Sequence, residues 1–464
     1  MRSTLLLGAT VADEETAARR DVWIIGDRIR AIAPGLKGKA DADEETDLTG
    51  HLVLPGAIDP HVHFEEAGGL DREDFATGTQ SAAAGGITTV IDHPLGEPPV
   101  TTTALLRQKR DSVAGRAYVD FGLWGGAVPG NTSEFAGMAA DGAFGFKAFM
   151  IGSEPTYPSL DDAQLLDAMR EIARLGSTML VHAENATIIE ALSTRLRAAG
   201  RRDGLAHAEA RPPITEIEAV ARATTLACHA RCRLQVVHLS TAGALEVVSA
   251  AAARGYQVKS EICPHFLALT DVELARQGPW ARCTPPLRSQ REVNALWGQV
   301  LRGRADFLVS DHAPWLTSEK ERGSDDIWEA PNGLVSLQSS NVVTLTEGVM
   351  RGLTLPQFVR LSSANVARWL GLYPAKGTLR PGSDADLAVY SRGVSDVIHA
   401  ANLLCKQKWT PYDGRRVSFR LDACMVRGTW VYKNGAIQGR PTGRFLAGSG
   451  CGPGPAAKAP SQMS

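Results

Sequence analysis

Six side chains that together could hold metal ions lie at or near the ends of separate short apolar runs. They are four histidines, a lysine and an aspartate: His61, His63, Lys147, His182, His238 and Asp311. Alternate residues of an extended strand point to the same face, so His61 and His63 can bind one ion together. A single histidine such as His182 is more often a hydrogen-bonded core residue, but four of them at strand ends reverse that expectation. The pattern predicts metal-assisted hydrolysis.

The apolar runs have the length and composition of buried parallel strands. Five of them lead to the candidate ligands, and three more complete a set of eight: 52–58, 143–146, 178–181, 234–237 and 306–310, with 87–92, 118–124 and 256–262. Segments long enough for helices, such as 160–175 and 214–227, lie between them. This alternation predicts an α/β fold, a closed (β/α)8 TIM barrel with its active site at the carboxyl ends of the strands.

The chain of 464 residues is longer than one barrel requires. Strand-like segments with the turn pairs Gly26-Asp27 and Asn434-Gly435 occur near both termini. We therefore expect residues 51–375 to form the barrel, and 1–50 with 376–447 to form a small β-sandwich domain. Residues 448–464 are rich in Gly, Pro, Ala and Ser, and we expect a disordered tail.

Composition narrows the class of protein. A hydrophobic content of 44% is typical of a packed globular enzyme, and a net charge of −2 argues against a nucleic-acid-binding surface. No run of about 18 apolar residues predicts a membrane span, and the N-terminus does not resemble a signal peptide, so a cytoplasmic location is expected. The seven cysteines form no CxxC pair, which disfavours a disulfide framework and a thiolate zinc site.

Lys147 requires its own explanation, because a buried ammonium group is costly and would repel a metal ion. Desolvation and nearby cations lower the pKa of a lysine, and a neutral amine can react with carbon dioxide to give a carbamate. The carbamate is a carboxylate that can bridge two ions. The alternative is an aliphatic stem packed under the barrel rim with its charge at the surface. The companion ligands favour the carbamate.

Several segments together resemble the amidohydrolase superfamily, specifically the cyclic amidohydrolases that include allantoinase, hydantoinase/dihydropyrimidinase and dihydroorotase. The matching motifs are 56–64, 86–92, 145–147, 181–184, 237–240 and 310–314. The resemblance extends from near residue 3 to about residue 440. It implies the barrel, the sandwich built from both termini, a carboxylated lysine, a small cyclic amide as substrate and a homotetramer.

The resemblance also implies a role for each candidate ligand. It places His61, His63, Lys147 and Asp311 on an inner ion, with Lys147 bridging to an outer ion bound by His182 and His238. Zinc is the default for such ligands, and cobalt, iron or manganese also suit them. The ions would activate a bridging water for attack on a ring carbonyl. Asp311 would act as general base and then general acid; alternatively, it serves as a ligand alone.

The substrate is predicted from smaller features. Motifs around Lys147 resemble those of allantoinases, which implies conversion of allantoin to allantoate. Glu65 stands where dihydroorotases carry an arginine, so an anionic substrate is disfavoured, and Gly96 stands where allantoinases usually carry asparagine. The resemblance further implies that backbone groups of Cys283 or Thr284 and of Asn332 bind the ring amide; their alternative role is turn formation.

Two alternatives to an allantoinase stay open. One is a hydantoinase- or dihydropyrimidinase-type hydrolase of another cyclic ureide or imide. The other is a catalytically silent relative that uses the barrel for assembly. Silent relatives tend to lose metal ligands. This chain keeps all six, which favours an enzyme.

Overall fold

A computed structural model describes residues 2–66, 71–152 and 155–448. The predicted tail therefore lies outside the described residues, apart from Gly448. The strands are β1 Ser3–Ala12, β2 Ala17–Ile25, β3 Arg28–Ala33, β4 Glu44–Asp47, β5 Leu52–Pro55, β6 Ala57–Val62, β7 Ile87–Asp92, β8 Asp120–Leu123, β9 Gly125–Gly126, β10 Phe146–Phe149, β11 Thr178–His182, β12 Arg233–Val236, β13 Val258–Ile262, β14 Phe307–Leu308, β15 Leu387–Val397, β16 Arg416–Val426, β17 Thr429–Lys433 and β18 Ala436–Ile437.

The α-helices lie mainly between the strands of the central part of the chain. They are α1 Phe75–Ala84, α2 Thr103–Val113, α3 Phe135–Ala140, α4 Asp162–Arg174, α5 Ala186–Ala198, α6 Gly204–Glu209, α7 Pro213–Ala230, α8 Ala242–Ala253, α9 Pro264–Ala268, α10 Asp271–Gln277, α11 Gln290–Leu301, α12 Thr317–Glu321, α13 Ser340–Met350, α14 Leu355–Val359 and α15 Asn365–Leu370. None of the helices in the described ranges combines the length and the hydropathy needed to span a bilayer.

The predicted (β/α)8 barrel is confirmed. Strands β6 to β8 and β9 to β14 pair in parallel, and β8 and β9 are two halves of one strand interrupted at Trp124. A parallel bridge between Val62 and His312 joins the last strand to the first and closes the ring. The predicted strand at 87–92 is β7 with the same bounds, and those at 118–124 and 256–262 correspond to β8 and β13, which both begin two residues later. All polar strand ends therefore face one mouth.

The turns after β11 and β12 carry candidate ligands directly into capped helices. Asn185 lies three residues after His182, and its side chain accepts a hydrogen bond from the Ile188 amide at the start of α5. Thr241 lies three residues after His238 and caps α8 in the same way. Each cap satisfies an otherwise unpaired amide of the first helical turn. The short link between ligand and cap leaves each histidine little freedom to move.

Both termini contribute to one large sheet, as predicted, in the order β18-β17-β16-β15-β5-β1-β2-β3, with β4 paired to β1. Residues 52–58, however, do not form a single barrel strand. Leu52–Pro55 pairs with β1 and β15 in the terminal sheet, and the barrel strand begins at Ala57. The chain changes sheets at Gly56, where an added Cβ would lie 2.2 Å from Thr88 Oγ1. Only glycine can pass so close to β7.

Two other predicted strand ends are shifted. Lys147 is the second residue of β10 and does not follow the strand, so its side chain starts from inside the barrel wall. Strand β14 covers only Phe307–Leu308, shorter than the predicted 306–310, and Asp311 follows it by three residues. In both cases the predicted apolar run contains or adjoins the strand. Backbone pairing decides where a strand begins and ends, and the sequence does not show this pairing.

A buried ion cluster joins the barrel to the terminal sheet. The Lys376 ammonium lies 2.7 Å from Asp120 on β8, 3.1 Å from Asp384 and 2.6 Å from Asp386. These four residues are all at most 6% exposed. Burial disfavours the charged lysine, but the carboxylates outweigh it and raise the pKa of Lys376. Lysine thus occupies the space between three acids that could otherwise bind a cation.

Replacing Lys376 by methionine should destabilise the fold, because Asp386 would lose its paired cation, and Asp120 and Asp384 would each keep only an arginine, Arg427 and Arg28. Removing one partner of a buried ion pair costs roughly 3–5 kcal/mol. We expect a clearly lower urea midpoint for Lys376→Met, followed by circular dichroism. The control is Lys39→Met at an exposed position. Equal midpoints for the two variants would show that the cluster does not stabilise the junction.

Candidate metal centre and active site

All six predicted ligands line one cavity of about 390 Å³ at the carboxyl ends of the barrel strands. Thr284 and Asn332, two of the three predicted substrate contacts, line it as well, whereas Cys283 does not belong to its wall among the described residues. Other wall residues include Glu65, Leu95, Phe149, Arg282 and Trp315. Charged and polar side chains make up most of the wall, which suits a concave site for ions and a polar small molecule.

The two histidines of the HxH pair converge on Asp311. His61 Nε2 lies 3.1 Å and His63 Nε2 3.3 Å from the same oxygen, Asp311 Oδ1. Burial opposes ionisation of Asp311, but the surrounding imidazoles outweigh it and hold its pKa well below the usual range. Two imidazole nitrogens close to one carboxylate oxygen provide three candidate ligand atoms for one divalent cation.

His182 and His238 form a second group on the adjacent strands. Their ring centroids lie 4.6 Å apart in a T-shaped arrangement. His182 Nε2 donates to Glu184 Oε2 at 2.8 Å, which leaves Nδ1 available, and Arg211 donates to the same oxygen at 2.6 Å. Burial works against the charge on Glu184, but Arg211 and His182 prevail and lower its pKa. A carboxylate of this kind fixes the ring and the tautomer of a metal-binding histidine.

Lys147 lies between the two histidine groups along the barrel and is only 1% exposed. Its Nζ lies 4.8 Å from the centroid of the Phe149 ring. Burial lowers the pKa of Lys147 and raises that of Glu261, whose opposite charge partly offsets the shift in the lysine. A lysine amine with a lowered pKa is neutral more often and can act as a nucleophile toward carbon dioxide.

Glu261 on β13 is a functional residue that the sequence did not reveal. Its Oε2 accepts a 2.6 Å hydrogen bond from His61 Nδ1, so the Nε2 of His61 is free to face Asp311. The side-chain amide of Gln235 donates to the other oxygen of Glu261. His93 also supports His61, since the two rings are stacked with centroids 3.8 Å apart and an angle of 6°. The position of Glu261 on a buried strand was the only available signal.

Three residues of the mouth adopt left-handed backbone conformations that residues other than glycine rarely adopt. They are Glu65 at φ 53°, His238 at φ 41° and Asp311 at φ 48°. Such conformations cost about 1–3 kcal/mol each and persist where the surrounding contacts enforce them. Two of the three are predicted metal ligands. These backbone conformations lower the stability of the fold and direct the side chains into the cavity.

The loops that carry Thr284 and Asn332 are tied together by a buried lysine. Lys320 Nζ donates to the carbonyls of Arg282 at 3.3 Å, Pro331 at 3.1 Å and Gly333 at 3.0 Å. Burial lowers the pKa of Lys320. Three carbonyl acceptors satisfy the three donors of an ammonium group. The spacing of the two loops across the cavity is therefore fixed.

Glu65 does not present a free negative charge to the cavity. Its Oε2 accepts from Arg72 Nη1 at 2.6 Å, and Arg72 also forms a two-point pair with Glu319 at 2.7 and 3.0 Å. The Arg72 guanidinium lies 3.5 Å from the centroid of the Trp315 ring. This network forms one wall of the mouth. The side chain that replaces the arginine of dihydroorotase-like members is thus held by the protein itself.

The ligand atoms suit a divalent metal ion. His63 Nδ1 and His238 Nδ1 are buried without a hydrogen-bond partner in the described part of the chain, so each ring has a nitrogen that no described protein group satisfies. Burial lowers the pKa values of His61, His182 and His238, so their rings are neutral near pH 7. Neutral imidazole and ionised carboxylate are the protonation states that bind metals. The donor set therefore fits such an ion.

The barrel and the ligand set at its mouth define the class of (β/α)8 hydrolases with a metal-binding active site. Residues 52–431 match the family described as the amidohydrolase family. An allantoinase of Rubrobacter xylanophilus is 41% identical over 92% of this chain and 93% of its own length. An L-hydantoinase of Paenarthrobacter aurescens is 36% identical over 94% of this chain and 96% of its own length.

Solved structures give the same result. The L-hydantoinase (dihydropyrimidinase) from Arthrobacter aurescens superimposes with a TM-score of 0.93 at 35% identity, covering 96% of this chain and all of that one. A dihydropyrimidinase from Brevibacillus agri has a TM-score of 0.89 at 30% identity, covering 96% of this chain and 98% of that one. The chain belongs to the amidohydrolase family, which implies a binuclear metal centre.

Replacing Glu261 by glutamine should weaken metal binding, because His61 would lose the carboxyl group that orients it through its Nδ1. Loss of such a partner typically costs 10–100-fold in metal affinity or activity. We expect Glu261→Gln to release metal at a lower chelator concentration than the wild type. Glu190→Gln, at an exposed position, is the matched control. Identical chelator profiles for Glu261→Gln and the wild type would rule out this role.

Proposed function

We propose that this protein hydrolyses a ring amide bond of a cyclic ureide, with allantoin as the substrate and allantoate as the product. The observation that carries the proposal is that all six predicted ligands line one cavity, which Thr284 and Asn332 line as well. Full-length similarity to allantoinases and an L-hydantoinase supports the same chemistry. The intact ligand set argues against a silent assembly protein.

The residues of the mouth divide into two sets that would hold two ions. His61, His63 and Asp311 would hold the inner ion, His182 and His238 the outer one, and carboxylated Lys147 would bridge them. Zinc is the expected metal, and cobalt, iron or manganese suit the same donors. When bound, such ions polarise a carbonyl and lower the pKa of water.

Asp311 is the residue we propose to move the proton. One of its oxygens faces His61 and His63, and its backbone strain fixes the direction of the carboxylate. A carboxylate in this position can accept a proton from the attacking water and pass it to the leaving ring nitrogen. Backbone groups of Thr284 and Asn332 would hold the ring meanwhile, with Cys283 supporting the loop.

The neutral character of allantoin fits the charges of the cavity. Within the network of Glu65, Arg72 and Glu319, the arginine is already paired with two carboxylates, so this network offers no cation to a substrate carboxylate. Gly96 approaches the same wall, with its position for a Cβ 3.5 Å from the Glu65 carbonyl, so no amide side chain acts there. A hydantoin-type ring is the second candidate substrate, favoured by the similarity to the L-hydantoinase.

The domain bounds, the oligomeric state and the location of the protein stay predictions. The chain would divide into a barrel of residues 51–375 and a terminal unit of 1–50 with 376–447. A homotetramer and a cytoplasmic location follow from the resemblance and from composition. Size-exclusion chromatography with light scattering would measure the oligomeric state.

The substrate is tested by ring-opening assays on allantoin, hydantoin, dihydrouracil, dihydroorotate and a simple cyclic imide. We expect the highest kcat/KM with allantoin, because the neutral ring and its substituent suit the cavity. Dihydroorotate should be the poorest, since Glu65 stands where dihydroorotase-like members carry the arginine for the substrate carboxylate, and the neighbouring Arg72 is already paired. Exclusive turnover of dihydroorotate would overturn the proposal, and higher kcat/KM with hydantoin would favour the second candidate.

Substituting Lys147 by alanine should abolish ring opening, because the bridging carboxylate would be lost. Added short carboxylic acids such as acetate should partly restore activity by taking its place. Labelled bicarbonate should give a carbamate signal by carbon NMR in the wild type and none in Lys147→Ala. Lys39→Ala serves as the control for the substitution itself. Full turnover of Lys147→Ala without added acid would refute the carbamate.

A further inference from the structure

Arg282 is a buried arginine of the cavity wall that the chemistry above does not use. It is only 7% exposed, and its Nη1 is buried with no hydrogen-bond partner in the described ranges. Arg211, on the same cavity, is paired with Glu184. A buried guanidinium nitrogen without an acceptor is costly, and natural proteins retain such a group mainly where a ligand completes it.

The guanidinium is held in place from behind. Arg282 Nε donates to His207 Nδ1 at 3.4 Å, and His207 Nε2 donates to the Cys283 carbonyl at 2.9 Å. His207 is completely buried, and both its nitrogens are engaged in this chain of contacts. The carbonyl of Arg282 itself accepts from Lys320 and from the Gly333 amide. Arg282 is therefore preorganised, with its unpaired edge as the remaining donor.

Neighbouring groups of the wall define what the unpaired edge would bind. Thr284 lies two residues beyond Arg282, and Asn332 contributes an Oδ1 atom that is buried and unpaired within the described part of the chain. Trp328 and Glu329 complete this side of the cavity. The Gly333 amide, next to Asn332, donates to the Arg282 carbonyl at 3.1 Å, so the two loops are adjacent. An arginine donor and an amide oxygen on these loops match a group that offers a carbonyl oxygen and N–H groups together.

We propose that Arg282 and Asn332 form a subsite for a carbonyl-bearing substituent on the ring, such as a ureido group. Arg282 would donate to the substituent's carbonyl oxygen, and Asn332 Oδ1 would accept from its N–H. This inference deepens the proposed function and rests on it, because it assigns the exocyclic part of a cyclic ureide to a specific wall. The ring amide and its hydrolysis stay with the residues described above.

The test compares two matched ring substituents in the metal-loaded enzyme. 5-Carbamoylmethylhydantoin carries a carbonyl and N–H groups, whereas 5-isobutylhydantoin has nearly the same shape without them. Allantoin and unsubstituted hydantoin complete the set. For Arg282→Met we expect kcat/KM to fall on the order of 10- to 100-fold with the carbonyl-bearing substrates, the usual effect of losing a charged hydrogen-bond donor.

The same variant should change kcat/KM with hydantoin and 5-isobutylhydantoin by less than about threefold. Arg282→Lys, which keeps a donor, should restore part of the loss. Equal losses with all four substrates would show that Arg282 only supports the loops, and no loss with any of them would show that the substituent lies elsewhere. Either result overturns the subsite.

The design separates this subsite from the proposed function. If the wild type opens hydantoins but not allantoin, the proposed substrate is wrong. The carbamoylmethyl and isobutyl pair then still decides whether Arg282 recognises a carbonyl group. Metal content, measured for each variant, ensures that a lost ion is not mistaken for lost recognition.

Discussion

The burial of polar and ionisable groups at one end of a barrel is the constraint on which the rest of this structure depends. His61, Lys147 and Glu261 are almost completely shielded from water, and burial disfavours the charged form of each. Such groups are tolerated only when each one has a partner or a bound ion. The strained backbone at His238 and Asp311 shows the same constraint acting on the main chain. Positive charge from bound metal would satisfy this arrangement.

Around this centre, the structure fixes positions through layers of support. Glu261 and His93 hold His61 from two sides, and Glu184 holds His182. Lys320 ties together the loops on the substrate side. Rigid support of this kind is what allows a small number of side chains to position a water and a ring amide.

The sequence was sufficient to predict the barrel and the grouping of the ligands, because apolar runs that end in polar residues are a local pattern. It could not show that residues 52–55 belong to the terminal sheet and that the chain enters the barrel after Gly56, since that depends on backbone pairing and on the close approach of Thr88. Glu261 was missed because a lone acid within a strand has no distinguishing spacing. His207 lies on α6, and its contact with Arg282 depends on packing between distant segments that the sequence does not show.

The central claim is that the six side chains hold two divalent ions on which ring opening depends. The most direct measurement is metal content by mass spectrometry, taken together with allantoin turnover during chelation and stepwise reloading in the presence of bicarbonate. If the six side chains hold these ions, allantoin turnover should disappear on chelation and return as the metal content approaches about two ions per chain. Full ring-opening activity in protein that contains fewer than about one ion per chain would contradict this claim.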